Sequence, residues 1–331
     1  MRRILVWMAY LVGFVLCGVL IGLQGFRAKA GRSEILSAAE IAPKTGRFVH
    51  AGDVDLFVQE AGPADGPAVL FVHGTGAWSE TWRDTLTALA GAGFHAIALD
   101  LPPFGFSQRP SNGLYDKRSQ GKRILGLLDG MSLDRVALVG HSFGGGPTVE
   151  AALLNPQRIQ ALILVDVALG LNQQADGNRV VKGVLGVAPL RDALVAAFLT
   201  NAWFTKRLLG AFVADPNAIT DQRVRIYQQP LAVNGTTEAT GVWLPELVAP
   251  PAGAASSNPA SYPALTMPSL VLWGGKDTIT PLEQGQSLAK ILPNAKLVVM
   301  DTVGHIPQIE DNERFNEQLL LFLVKQKGAR Q

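Results

Sequence analysis

The sequence predicts an α/β fold: a doubly wound, mostly parallel eight-stranded sheet, a helical cap inserted after the sixth strand, and an N-terminal transmembrane helix. Three observations carry the prediction. From Arg47 onward, short continuous apolar runs alternate with segments of helical period, the pattern of parallel strands buried on both faces. The alternation stops after Asp166 and resumes only at Ser269. Ahead of it lies Ile4 to Leu23, 20 uncharged and mostly apolar residues.

At about 1.5 Å per residue, that leading run spans about 30 Å, the thickness of a bilayer hydrocarbon core. Residues 1–30 are therefore expected to form a single-pass membrane anchor, with the domain that follows on the outer side. The charges flanking the run are nearly balanced, Arg2 and Arg3 against Arg27, Lys29 and Arg32. The alternative is secretion after signal cleavage near Ala28-Lys29-Ala30, although the run exceeds the usual apolar length of such signals. Arg47 to His50 and Val54 to Gln59 read as an antiparallel edge hairpin around Ala51-Gly52-Asp53. Ala68 to Val72, Ala96 to Leu99, Val136 to Val139 and Ala161 to Val165 read as parallel strands. Helices near Glu80 to Ala90, Ser119 to Asp129 and Gly145 to Leu154 separate them. Helical stretches over Val180 to Val187, Asp192 to Leu209 and Ala218 to Gln228 give a cap spanning 167–263, ending in the connector Pro250 to Pro263. Strands Ser269 to Trp273 and Lys296 to Met300, with helices Leu282 to Leu292 and Asn312 to Lys325, complete a core of 44–166 and 264–327.

Composition excludes several functions. With 29 basic against 27 acidic residues and no dense basic run, the chain lacks the footprint of a nucleic-acid binder. Cys17 is the only cysteine, so neither an intramolecular disulfide nor a cysteine-based metal cluster can form. A dinucleotide site is disfavoured because His73-Gly74-Thr75-Gly76-Ala77-Trp78-Ser79 has serine where the third glycine of Gly-x-Gly-x-x-Gly belongs.

The chemistry gathers around Gly140-His141-Ser142-Phe143-Gly144, a Gly-x-Ser-x-Gly placed between a strand and a helix. Such a turn lifts the Ser142 hydroxyl above the sheet and aims the Phe143 N–H at an oxyanion formed there. Serine needs a base, most often histidine. Of the five histidines, His50 and His95 lie in strands, His141 adjoins Ser142, and His73 suits loop bracing. His305, after the last strand, remains. Asp277, just past the preceding strand, is the first choice of acid to orient it, with Asp166 at the end of the sixth strand as second choice.

The order Ser142, Asp277, His305 and the surrounding motifs resemble the α/β-hydrolase superfamily from roughly Lys44 to Lys325. His73-Gly74-Thr75-Gly76 is similar to its oxyanion loop, which implies that the Thr75 N–H is the second donor. Asp100-Leu101-Pro102-Pro103-Phe104-Gly105-Phe106-Ser107 is similar to its Asp-x-Pro-Gly-x-Gly-x-Ser loop, with Pro103 replacing the first glycine. Gly304-His305-Ile306-Pro307-Gln308-Ile309-Glu310 is similar to its His-x-Pro-x-x-Glu ending, where the Glu braces structure. The resemblance implies acyl transfer through an acyl-enzyme, with a small apolar acyl substrate, water as second substrate, and no metal or organic cofactor. Ser142 argues against the dehalogenases and epoxide hydrolases of this superfamily, which use aspartate at the elbow. Carboxylesterases, lipases, lactonases, perhydrolases and C–C hydrolases of meta-cleavage products stay open, as does a non-catalytic binding protein. Trp78, Trp82, Trp203, Phe204, Phe212 and Tyr227 are candidates to line an apolar pocket.

Overall fold

A computed structural model of the chain describes residues 2–171, 179–249 and 253–328. Eight strands form one sheet: β1 (Gly46–Ala51), β2 (Val54–Ala61), β3 (Ala68–Val72), β4 (His95–Leu99), β5 (Val136–His141), β6 (Ile159–Val165), β7 (Ser269–Gly274) and β8 (Ala295–Met300). Their spatial order is β1-β2-β4-β3-β5-β6-β7-β8. The β1–β2 and β2–β4 pairs are antiparallel and all others parallel, as expected of an edge hairpin leading into crossover units. Alternate side chains of the inner strands enter opposite cores, so Leu70 and Leu138 pack on one face while Phe71 and Val139 pack on the other. This is why those strands read as unbroken apolar runs. β5 lies between β3 and β6, which brings the carboxyl ends of β3, β5, β6 and β7 to one edge.

The helices of the core fall close to their expected places, Gly145–Leu154 matching without a shift. The cap differs more. The stretch Asp192 to Leu209 is not one helix but two, Ala188–Phe198 and Ala202–Gly210. The break falls at Asn201, whose side chain accepts from the Trp203 N–H and caps the second helix. A further helix, Thr236–Val248, was not anticipated, because threonines, Gly241 and Pro245 all lower intrinsic helix propensity there. Tertiary packing of Trp243 against Phe104 and Phe143 holds it, with ring centroids 4.8 and 4.9 Å apart. The connector carries two short 3₁₀ turns, Ala255–Ser257 and Pro259–Ala264, rather than no regular element. Part of it, residues 250–252, lies outside the described residues.

The apolar run Ile4 to Leu23 belongs to a longer helix, Arg2–Ser33. No proline follows Leu23 to stop it, and at about 1.5 Å per residue it extends about 48 Å. Within it, Gly13–Ser33 is long and apolar enough to cross a membrane. The helix packs on Ala188–Phe198, and Gln24 Nε2 donates to the Pro189 carbonyl at 3.2 Å.

Candidate active site

β5 ends at His141, a 3₁₀ turn covers Ser142–Gly144, and the helix Gly145–Leu154 follows directly. Ser142 has φ +52°, a left-handed conformation that side-chain-bearing residues seldom adopt. The turn is possible because its flanks lack side chains. A Cβ on Gly140 would lie 2.5 Å from Thr148 Oγ1, and one on Gly144 would lie 2.3 Å from the His73 carbonyl oxygen. Gly74 faces the same constraint, its Cβ direction meeting Ser142 Cβ at 2.8 Å. The loop 73–76 therefore sits against the elbow, and Thr75 lines the same cavity as Ser142.

The loops after β7 and β8 complete the arrangement. His305 Nε2 lies 2.8 Å from Ser142 Oγ, and His305 Nδ1 lies 2.7 Å from Asp277 Oδ2. Asp277 also accepts from the Thr280 hydroxyl at 2.5 Å and from the Ile279 and Thr280 N–H groups at 2.7 and 3.0 Å. Burial works to raise the Asp277 carboxyl, but His305 and Thr280 outweigh it and hold the group below the usual carboxylate range. An ionised Asp277 can only accept, so the imidazole proton sits on Nδ1 and Nε2 turns its lone pair to the serine hydroxyl. Ser142, Asp277 and His305 are thus brought together as the sequence suggested.

Asp166 lies near the imidazole but is not its hydrogen-bond partner. It has φ +43°, and its Oδ1 accepts from the Gly274 N–H at 2.7 Å, tying the end of β6 to β7. Burial and the neighbouring Asp277 charge push its carboxyl well above the usual range. Asp166, Asp277 and His305 offer atoms within 4.8 Å of one another, a spacing compatible with a cation. Both ring nitrogens of His305 are already engaged by Asp277 and Ser142, so the triad accounts for the cluster.

The other histidines brace. His73 lies 2.8 Å from the Gly74 carbonyl through Nδ1 and accepts the Leu101 N–H through Nε2, and burial lowers it to about 4. His141 Nε2 donates to the His305 carbonyl at 2.7 Å, a support for the base that sequence reasoning missed. Its burial, with His305 close by, lowers it to about 3, so it stays neutral. In the loop after β4, Asp100 accepts the Ser79 and Phe106 N–H groups at 2.6 and 2.7 Å. Gly105, at φ +64°, presses on that carboxylate where any Cβ would clash. Glu310 accepts from Gly304, Ala214 and Asp215 N–H groups, and the His305 N–H donates to the Phe212 carbonyl at 2.7 Å.

A cavity of ≈ 120 Å³ opens above Ser142, lined by Thr75, Leu209, Phe212, Tyr227 and Ile306 among others. A second, of ≈ 110 Å³, lies beside it and is lined by cap residues including Trp243. No Lys, Arg, Asp or Glu lines either cavity among the described residues. Of the six aromatic candidates, Phe212 and Tyr227 line this space. Trp78 and Trp82 are core, Trp203 is 78% exposed, and Phe204 meets Trp203 edge-to-face instead. Trp243 was missed because its helix was.

A serine in an elbow, bonded to a histidine that is bonded to an acid, on a sheet of this order, defines a hydrolase of the α/β class. Residues 67–312 match the family model described as alpha/beta hydrolase fold, and the chain belongs to that family. A 2-hydroxymuconate semialdehyde hydrolase of Pseudomonas sp. (strain CF600) is 29% identical over 301 residues, 89% of this chain and 99% of that protein. A solved meta-cleavage product hydrolase of Pseudomonas fluorescens IP01 is 27% identical with TM-score 0.71, covering 85% of this chain and 98% of its own. A solved membrane phospholipase A, 22% identical with TM-score 0.69, covers 99% of both chains, so the shared fold extends over the N-terminal helix.

Proposed function

We propose that this chain is a membrane-anchored serine hydrolase that cleaves esters of apolar acyl chains. Ser142 attacks the carbonyl as His305 takes its proton, the Thr75 and Phe143 N–H groups hold the oxyanion, and His305 then protonates the leaving group. Water, activated by the same imidazole, releases the acid. Asp277 stabilises the imidazolium that forms between these steps. The observation that carries the ester reading is the charge-free lining of the two cavities beside Ser142. Such a lining suits a neutral hydrocarbon chain and offers nothing to pair with a carboxylate.

A second reading, hydrolysis of a C–C bond in a meta-cleavage-type substrate, is favoured by the two hydrolases of that kind to which the chain is similar over most of its length. A muconate-derived substrate carries a carboxylate; among the described residues no cation lines these two cavities, while Lys117 lines an adjoining one that shares Ala168, Leu247 and Ile279 with the cavity over Ser142. The discriminating experiment gives the full-length chain p-nitrophenyl butyrate, p-nitrophenyl decanoate and a meta-cleavage dienoate, beside Ser142→Ala. Ester turnover that exceeds dienoate turnover and vanishes in Ser142→Ala is the expected result. Faster dienoate cleavage would replace the ester reading with the second one. Equal ester rates for both proteins would remove the enzymatic role of Ser142.

A further inference from the structure

We infer that the acyl chain of a membrane lipid enters this site through a groove between the N-terminal helix and the cap, past a gate formed by Thr200 and Leu231. The inference rests on the ester reading above and names the substrate class and its route. Three cavities lie in series. The cavity over Ser142 and the one under the cap share Thr75, Leu209, Phe212 and Tyr227, so they adjoin across those four residues. The cavity under the cap in turn shares Thr200 and Leu231 with a groove of ≈ 290 Å³. That groove is walled on one side by Phe26, Lys29, Ala30 and Ser33 of the helix Arg2–Ser33 and on the other by cap residues including Trp203. Two side chains thus stand between the end of the apolar helix and the space that reaches Ser142.

The groove has the chemistry of a membrane interface. Phe26 and Trp203 are exposed, at 41% and 78%, and Lys29 is exposed beside them. Exposed aromatic rings and a basic side chain at the end of an apolar helix match the level of lipid headgroups, with hydrocarbon on one side and phosphate on the other. Behind the gate the lining turns aliphatic and aromatic, with threonines but no charge. A lipid leaving the bilayer there passes from one apolar surface to another until its ester carbonyl meets Ser142, and Lys29 marks the headgroup level from which it departs.

The gate is tied to the segment that follows the helix. Thr200 Oγ1 lies 2.6 Å from Thr237 Oγ1. The Thr237 N–H donates to Glu34 Oε2 at 2.9 Å, and its hydroxyl bonds the other oxygen of the same carboxyl. Glu34 is the first residue after the helix and is buried. On the opposite wall, the Leu36 N–H donates to the Ala232 carbonyl at 3.2 Å and the Asn234 N–H donates to the Leu36 carbonyl at 2.9 Å. Residues 34–36 therefore fix both Thr200 and the 231–234 segment, so the width of the gate follows the seat of the membrane helix on the cap.

The test uses the full-length chain in phosphatidylcholine vesicles, which absorb p-nitrophenyl palmitate and leave p-nitrophenyl butyrate in water. The readout is the ratio of kcat/KM for palmitate to that for butyrate, in wild type, Leu231→Trp and Ala30→Trp. Leu231→Trp fills the gate from the cap side, and Ala30→Trp fills the groove from the exposed helix, where folding of the core is not at stake. A fall of the ratio of about tenfold or more in each variant is expected, since several methylene contacts are lost for palmitate alone. An unchanged ratio in Ala30→Trp overturns the entrance, whether or not Leu231→Trp folds. Wild type inactive on both esters would instead overturn the ester reading on which the entrance rests.

Discussion

Asp166 and Asp277 end adjacent strands on the same sheet edge, yet only one meets His305. The difference is one turn of chain. Asp166 follows β6 immediately and its Oδ1 is taken by the Gly274 N–H, whereas Asp277, three residues past β7, turns its Oδ2 to His305 Nδ1. Asp277→Asn is expected to lower kcat by about 10⁴-fold, because an amide at that place favours the wrong tautomer of the base. Asp166→Asn keeps an acceptor for Gly274 and is expected to cost less than about tenfold, as its carboxyl is not in contact with a reacting group. Steady-state kinetics of the two variants on one ester decide the assignment, and equal losses would contradict it. The sequence could narrow the acid to these two residues. It could not choose between them, since the choice depends on how far each loop climbs above the sheet.

At the level of elements, one carboxylate clasps the cap to the loop of the base, beside the bond from the His305 N–H to the Phe212 carbonyl. Glu310, on the short helix Pro307–Glu310, accepts N–H groups from cap residues Ala214 and Asp215 and from Gly304, next to His305. Removing it hands the exposed Ala214 and Asp215 donors to water, so Glu310→Ala is expected to lower the unfolding free energy by about 1 kcal/mol. The same change should reduce kcat as the His305 loop loosens, with Glu310→Gln between the two. Urea unfolding and kinetics on the same preparations check this, and an unchanged midpoint with unchanged kcat would count against the clasp. A bracing role for this glutamate was legible in the His-x-Pro-x-x-Glu ending, but its partners were not. They come from a cap segment about a hundred residues away in sequence, and no local pattern marks them. The helix Thr236–Val248 escaped for the related reason that packing of Trp243 overrides its weak propensity.

For the molecule as a whole, the helix Arg2–Ser33 is exposed along most of its described apolar length. Trp7, Tyr10, Phe14 and Ile21 face outward, an arrangement that water disfavours and a bilayer accepts. The full-length chain is expected to sediment with membranes, to resist high salt and to leave them only in detergent. Release by salt alone would show that the helix does not insert. Its docking on the cap gives this helix a further consequence, since the groove it lines and the cavity under the cap share Thr200 and Leu231.

By itself the sequence determined the doubly wound sheet, the elbow, the pairing of Ser142 with His305 and the apolar leading helix. Each of these is written in a local signal: unbroken apolar runs, glycines where a Cβ cannot fit, a histidine after the last strand, a long stretch without charge. Only the tertiary structure decided which acid serves the imidazole, which aromatic residues enclose the cavity, and how the N-terminal helix meets the cap. Those answers depend on contacts between residues distant in the chain, where the height of a loop or the angle of a helix separates a hydrogen bond from none.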